Sequence, residues 1–373
     1  MSRLRTTVVT AFAGTGGSES WLVELLRATD QLAVDVITLG DGPLVEQLRE
    51  LGVPVEVHPV GRRPLELARA VGWLRRRLRA DRPEVVLANV LKAGVVVAPA
   101  ARSLRLPWVL AKHDHVFDRS LAWPVGAAAT RVVAAVEELA TATRRKDAVI
   151  IPPPRPAVLP LPRADARRAL APTGVRFGRR PVLVMAGRLV PFKAIEDAIR
   201  ALALPAGADW DLVVLGADDP AAPGETERLR ALASAHGVGD RVQFAGHVTG
   251  AASLLAAFDA MAVLTREVNP GDPAKEGFGT AAFEAMLAGV PVVAADGSAV
   301  ARRLEGRAGI VVPPGDLPAI AAALESLKDP QTRRQMGEAG RALTADHPSA
   351  AQCAEMLVAV LRGAAGQGSS RRR

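Results

Sequence analysis

Short runs of valine, leucine, isoleucine and alanine alternate along the chain with segments whose apolar residues recur every three or four positions. The short runs are apolar almost throughout, as strands buried on both faces are. They predict strands near 6–12, 33–39, 54–58, 84–88, 107–111, 131–136 and 147–151, and again near 181–186, 211–215, 241–244, 260–264, 291–294 and 309–312. Amphipathic helices are predicted between most of them, as at 18–29, 64–80, 195–203, 225–236 and 317–328. Buried strands alternating with helices make an α/β fold with parallel sheets.

The alternation breaks once, between Ile151 and Pro162, where prolines are too dense for a helix or a central strand. Residues 152–162 are therefore expected to form a stiff interdomain connection. The chain divides into a first half, 1–151, and a second, 163–346, each doubly wound and Rossmann-like, facing each other across a cleft. A last helix, 347–363, is placed to pack back on the first half. Residues 364–373, ending Gly-Gln-Gly-Ser-Ser-Arg-Arg-Arg, are expected to be a disordered tail.

Composition narrows the class. At 373 residues, 49% hydrophobic and 23% charged, the chain is a globular two-domain protein. The net charge is +8, yet only six of the 47 cations are lysine and tyrosine is absent, which fits GC-rich coding bias. Arg75, Arg76 and Arg77 form the wet side of a helix, and basic and aromatic residues do not interleave, so nucleic acid is not an expected partner. That basic helix leaves peripheral contact with an anionic membrane open. The single cysteine, Cys353, excludes an intrachain disulfide and a cysteine-based zinc site. Thr7–Ala13 reads as a first strand, Ala93–Ala101 is too short to span a membrane, and a cytoplasmic location is expected.

Residues 276–284, Glu-Gly-Phe-Gly-Thr-Ala-Ala-Phe-Glu, carry the most chemistry. A glycine-rich turn entering a helix presents unpaired backbone N–H groups at the positive end of the helix dipole, where anions are favoured. Gly277, Phe278, Gly279 and Thr280 build that turn. Glu276 stands just outside it and Glu284 about one turn inside the helix. Carboxylates beside an anion site accept hydrogen bonds from hydroxyls attached to the anion, and a phosphate with hydroxyls on both sides describes a sugar nucleotide.

Four further segments follow predicted strands. Gly14-Thr15-Gly16-Gly17-Ser18-Glu19 lacks the full dinucleotide fingerprint, because position 19 is glutamate, but Gly16 and Gly17 still let backbone amides approach a phosphate. Arg188 and Lys193, in Gly187-Arg-Leu-Val-Pro-Phe-Lys193, offer a guanidinium fork and a point charge for a diphosphate. His113 and His115 invite a metal reading, but no further ligand cluster stands out; His113 at a strand end facing the crevice is the better one. Asp218-Asp219 reads as a turn in preference to a metal pair.

With EGFGTAAFEAMLAGVPVVAA, AGRLVPFK, TGGSE and KHD in one chain, residues 6–345 resemble the retaining glycosyltransferases of the GT-B fold, the large family-4 group. The resemblance implies an acceptor-binding first domain, a donor-binding second domain and no obligatory metal or other cofactor. It puts Arg188 and Lys193 on the donor diphosphate, Glu276 with the amides of Gly277, Phe278 and Gly279 at the donor sugar, and Glu284 on the ribose. Gly16 would approach the phosphates, and His113 would sit near the sugar. Three departures stand out: Pro152-Pro153-Pro154-Arg155 replaces the usual hinge, Gly216-Ala-Asp-Asp replaces a glycine-rich turn, and the loop Thr265–Lys275 is long. The expected activity is retaining transfer from a nucleotide sugar, a UDP-sugar first and GDP-mannose second, to a hydroxyl acceptor. The alternatives are a phosphorylase, a sugar-nucleotide epimerase or a non-catalytic sugar-nucleotide-binding subunit. The acceptor and the oligomeric state are left open.

Overall fold

The computed structural model describes residues 2–11, 13–14, 16–61, 63–220, 222–269 and 275–370. The chain forms two units, Met1–Arg155 with Pro348–Arg373, and Pro156–His347. Among the described residues the first unit contains β1 (Leu4–Thr10), β2 (Leu32–Thr38), β3 (Val55–Val57), β4 (Val85–Asn89), β5 (Trp108–Lys112), β6 (Arg131–Ala134) and β7 (Val149–Ile150). They pair in parallel in the order β3-β2-β1-β4-β5-β6-β7. The second unit contains β8 (Val182–Ala186), β9 (Asp211–Leu215), β10 (Val242–Gly246), β11 (Ala260–Val263), β12 (Val292–Ala295) and β13 (Gly309–Val312). Their order is β10-β9-β8-β11-β12-β13, again parallel. Both sheets are doubly wound, as the alternation of apolar runs and helices predicts.

Every residue of β4 and β5 is buried. Successive side chains go to opposite layers: Leu87, Val109 and Ala111 pack with Trp21, Leu22 and Leu25 of the helix Gly17–Arg27, while Val86, Ala88 and Leu110 pack with Leu74 and Leu78 of the helix Pro64–Asp81. These two strands therefore have no wet face, which is why they read as apolar runs up to their last residues.

Each sheet reverses winding at one point, between β1 and β4 in the first unit and between β8 and β11 in the second. At such a point the loops leaving the two strands diverge and open a crevice at their C-terminal ends, where ligands of open α/β sheets bind.

The proline-rich stretch carries no regular structure from Ile151 to Pro162, and the helix Arg163–Leu170 starts directly after it. The last helix runs Ala350–Ser370, beyond the expected end at 363. Its Cys353, Leu357, Leu361 and Ala364 are fully or almost fully buried in the first unit with Trp21 and Val36. The expectation of a disordered tail from 364 is thus corrected up to Ser370. Packing overrides the poor helix propensity of Gly363 and Gly366, since each leucine so buried contributes about 1.5–3 kcal/mol against about 1 kcal/mol lost per glycine. Residues 371–373 lie outside the described residues.

Candidate active site

In the second unit, the chain leaves β8 through Gly187 and Arg188, makes a 3-10 turn at Pro191–Lys193 and enters the helix Ile195–Leu202. Leu189 and Val190 are buried under this turn, so Arg188 and Lys193 are held at the strand's C-terminal end. The segment after β9 runs beside it: Leu189 N–H donates to Ala217 O at 3.0 Å. That pairing brings Asp219 to Arg188, with 2.5 Å between its Oδ2 and Nη1. The neighbouring Asp218 accepts from the Gly224 and Thr226 amides and the Thr226 hydroxyl, which holds its carboxyl below the usual range. The Asp218-Asp219 pair thus serves as a turn and a helix cap.

Lys193 Nζ lies 2.6 Å from Glu276 Oε2, and the buried Thr265, just beyond β11, donates its hydroxyl to the same oxygen at 2.8 Å. Burial pushes the Glu276 carboxyl up, but Lys193, Thr265 and Arg188 together outweigh it and hold Glu276 below the usual carboxylate range. Glu276 is therefore an anion at neutral pH. Among the described residues both contacts fall on Oε2, which leaves Oε1 for a further donor. Lys193, assigned to a diphosphate from sequence, is engaged by Glu276 here.

Gly279 caps the helix Thr280–Ala288 with φ +74° and no side-chain cap, and no acid stands in the first turn. A Cβ on Gly279 would lie 2.2 Å from Val300 Cγ2, so both the backbone angle and the packing require glycine. The Phe278 side chain is buried against Phe283 and His347, with Arg303 stacked over its ring at 4.0 Å and donating to its carbonyl. This anchors the turn, so any ligand contact of Phe278 falls to its backbone. Gly277 lies within the same turn, and the half-buried Glu284 stands one turn into the helix.

In the first unit, Gly16 caps the helix Gly17–Arg27. A Cβ there would sit 2.6 Å from Glu19 Oε2, so glycine makes room for the buried Glu19 carboxylate folded over the helix start. Thr15, the residue before it, lies outside the described residues. Asn89, the fully buried last residue of β4, donates to Ser18 O at 3.2 Å and lies 2.9 Å from His113 Nε2 through Oδ1. Trp21 meets the His113 ring edge-on, with centroids 4.7 Å apart. Desolvation, aided by the Lys112 charge, pushes the His113 imidazole down to about 3. His115 turns elsewhere, its Nδ1 lying 2.8 Å from Asp118 Oδ2. The other oxygen of Asp118 meets the fully buried Lys112 at 2.5 Å. The two imidazoles thus have separate partners, and among the described residues no group of three or more His, Cys, Asp or Glu side chains could hold a metal ion.

The sequence-selected residues fall into two sets. Arg188, Lys193 and Glu276 come together at the β8/β11 reversal, beside the turn Gly277–Thr280. Gly16, Gly17 and His113 come together at the β1/β4 reversal, tied by Asn89. Asn89, Thr265, Asp219 and Lys112 were not singled out from sequence as site residues.

No helix among the described residues is long and apolar enough to cross a membrane. Residues 16–162 match a glycosyl transferase 4-like domain, and residues 168–343 match the glycosyl transferases group 1 family. The chain is 31% identical over 204 residues to alpha-D-kanosaminyltransferase of Streptomyces kanamyceticus, covering 53% of this chain and 50% of that one. It is 35% identical over 175 residues to the GDP-mannose-dependent alpha-(1-6)-phosphatidylinositol monomannoside mannosyltransferase of Mycolicibacterium smegmatis, with 44% and 43% covered. These matches span about half the length of either relative. Lipopolysaccharide core biosynthesis glycosyltransferase LpsD of Rhizobium meliloti matches at 28% over 342 residues, covering 88% of this chain and 90% of LpsD. The crystal structure of Anabaena Alr3699/HepE with UDP-glucose shares the fold at a TM-score of 0.80 and 23% identity, with 97% of this chain and 100% of that one covered. The chain belongs to the glycosyl transferases group 1 family and has the GT-B fold.

Proposed function

We propose that the protein is a retaining glycosyltransferase that moves a sugar from a UDP-sugar to a hydroxyl acceptor. The observation that carries this reading is the cluster at the β8/β11 reversal: an ionised Glu276 whose contacts with described residues all fall on Oε2, two cations, and a glycine-opened helix start. Such a cluster suits a diphosphate flanked by hydroxyls. Arg188, Lys193 and the helix start stabilise the negative charge that builds on the departing diphosphate. Lys193 meets Glu276 in the free protein and can share its charge with both groups when the donor is bound. Glu276 accepts from hydroxyls of the sugar through Oε1, and Glu284 accepts from the ribose hydroxyls. In the first unit, Gly16 and Gly17 offer backbone amides to a phosphate and His113 a ring nitrogen to a sugar hydroxyl. The acceptor hydroxyl attacks the anomeric carbon from the face the nucleotide leaves, the bond to the phosphate oxygen breaks, and the leaving phosphate takes the hydroxyl proton. Arg188 and Lys193 fill the cationic role a metal would otherwise play, so the reaction is proposed to need none.

A GDP-mannose donor is the second reading, favoured by the GDP-mannose-dependent activity of the Mycolicibacterium smegmatis relative. A thermal-shift screen of nucleotide sugars tests both. A donor at 100 times its dissociation constant stabilises by about 2.7 kcal/mol. Stabilisation by a UDP-sugar alone supports the first reading, by GDP-mannose alone the second, and by neither contradicts both.

A further inference from the structure

Asn89 is a fully buried amide at the C-terminal end of β4, and its surroundings determine which way it faces. One end lies 3.2 Å from Ser18 O. A backbone carbonyl only accepts, so that end must be the NH2 group. The other end is then Oδ1, which also only accepts, and it lies 2.9 Å from His113 Nε2. The proton of that bond must therefore come from Nε2. A neutral imidazole has one N–H, so Nδ1 carries a lone pair. Asn89 is its one hydrogen-bonding partner among the described residues.

The surroundings also oppose a second ring proton. Lys112 holds its ammonium beside His113 on the same strand end, and the ring lies against the edge of buried Trp21. Glu19, the charged group in the first turn of the helix that carries Ser18 and Trp21, accepts the Ser18 hydroxyl at 2.9 Å.

We propose that Asn89 is a positioning residue that locks His113 as the neutral, Nε2-protonated tautomer, so that Nδ1 accepts a hydrogen bond from a sugar hydroxyl and the ring takes no part in proton transfer. The sugar contact rests on the glycosyltransferase reading; the tautomer does not. One buried amide thereby ties β4, the turn at Gly16 and His113 into a single rigid unit. It also makes His113 select for a group that donates a hydrogen bond.

Nitrogen-15 spectra of histidine-labelled protein test the lock with no ligand present. The chain has six histidines, and the His113 signals are assigned by their loss in His113→Gln. The expected pattern is a protonated Nε2 and an unprotonated Nδ1, constant between about pH 5.5 and 8, across the ordinary imidazole value of about 6.5. A protonated Nδ1, or titration near 6.5, overturns the proposal. Asn89→Asp keeps an acceptor but adds a charge that favours imidazolium, so His113 is expected to begin titrating inside that window. If this variant does not fold, the wild-type spectrum still decides the tautomer. Added UDP-glucose or GDP-mannose is expected to shift Nδ1 and leave Nε2 protonated. Binding without a shift at Nδ1 overturns the sugar contact. Failure of both to bind counts against the donor reading and leaves the tautomer result standing.

Discussion

Lys193→Ala removes the ammonium 2.6 Å from Glu276 Oε2. The carboxylate keeps the Thr265 hydroxyl and the more distant charge of Arg188. An exposed ion pair is worth about 0–1 kcal/mol, whereas removing one partner of a buried pair costs about 3–5 kcal/mol. The two side chains are 25% and 18% exposed, between those limits, so a loss of about 1–3 kcal/mol is expected in urea unfolding. Glu276→Gln relieves the stranded charge, so the double variant should be less destabilised than the two single effects added, by about 0.5–2 kcal/mol. The sign with pH follows from the lowered Glu276 value. The ion pair stabilises fully above the ordinary carboxyl range of about 4.3 and is lost as pH falls through the folded value. The wild-type advantage over Lys193→Ala should therefore be largest near neutrality and close in acid. In turnover, loss of one donor to the leaving diphosphate lowers kcat by about 10²–10³ where the geometry is good. An additive double variant, an acid-independent difference and an unchanged kcat would together contradict a coupled Lys193–Glu276 pair that serves the leaving group.

Three other outcomes follow. Arg188→Ala should lower kcat more than it raises KM, because the charge it meets is greatest as the diphosphate leaves; steady-state kinetics with near-wild-type kcat would reduce Arg188 to the partner of Asp219. Transfer should survive EDTA, and loss of activity restored by Mg²⁺ or Mn²⁺ would contradict a metal-free mechanism. With its folded value near 3, His113 stays neutral where the unfolded chain takes a proton below about 6.5, so it contributes a loss of stability as pH falls from about 6.5 to 3. That slope is at most about 1.4 kcal/mol per pH unit, and His113→Gln should flatten it in pH-dependent urea unfolding; equal slopes would contradict the buried neutral ring.

The sheets were legible because strands such as β4 and β5 are buried on both faces and are apolar up to their closing Asn89 and Lys112. Glu276, Arg188 and His113 stood out as candidates because a charge or an imidazole lies directly beside a strand end or a glycine turn. Asn89 and Thr265 did not, since one amide or hydroxyl at the end of an apolar run has no local partner. Asn89 meets Ser18 and His113 at separations of 71 and 24 residues. The available signal was position, a polar residue closing a central strand at a reversal of winding. The engagement of Lys193 by Glu276 spans 83 residues and is equally invisible to spacing. The tail misled because glycine and serine composition describes an isolated segment, whereas Ala364 is buried in the first unit's core.

The proposed donor site lies in the second unit, at the helix start that carries Glu284. Calorimetric titration of UDP, UDP-glucose, GDP and GDP-mannose into wild type and Glu284→Ala tests it without knowledge of the acceptor. One nucleotide and its sugar conjugate are both expected to bind. Glu284→Ala should weaken both alike by about 1.5–3 kcal/mol, the worth of hydrogen bonds to a charged group, or roughly 10- to 150-fold. Binding of none of the four, or wild-type affinity in Glu284→Ala, would contradict it.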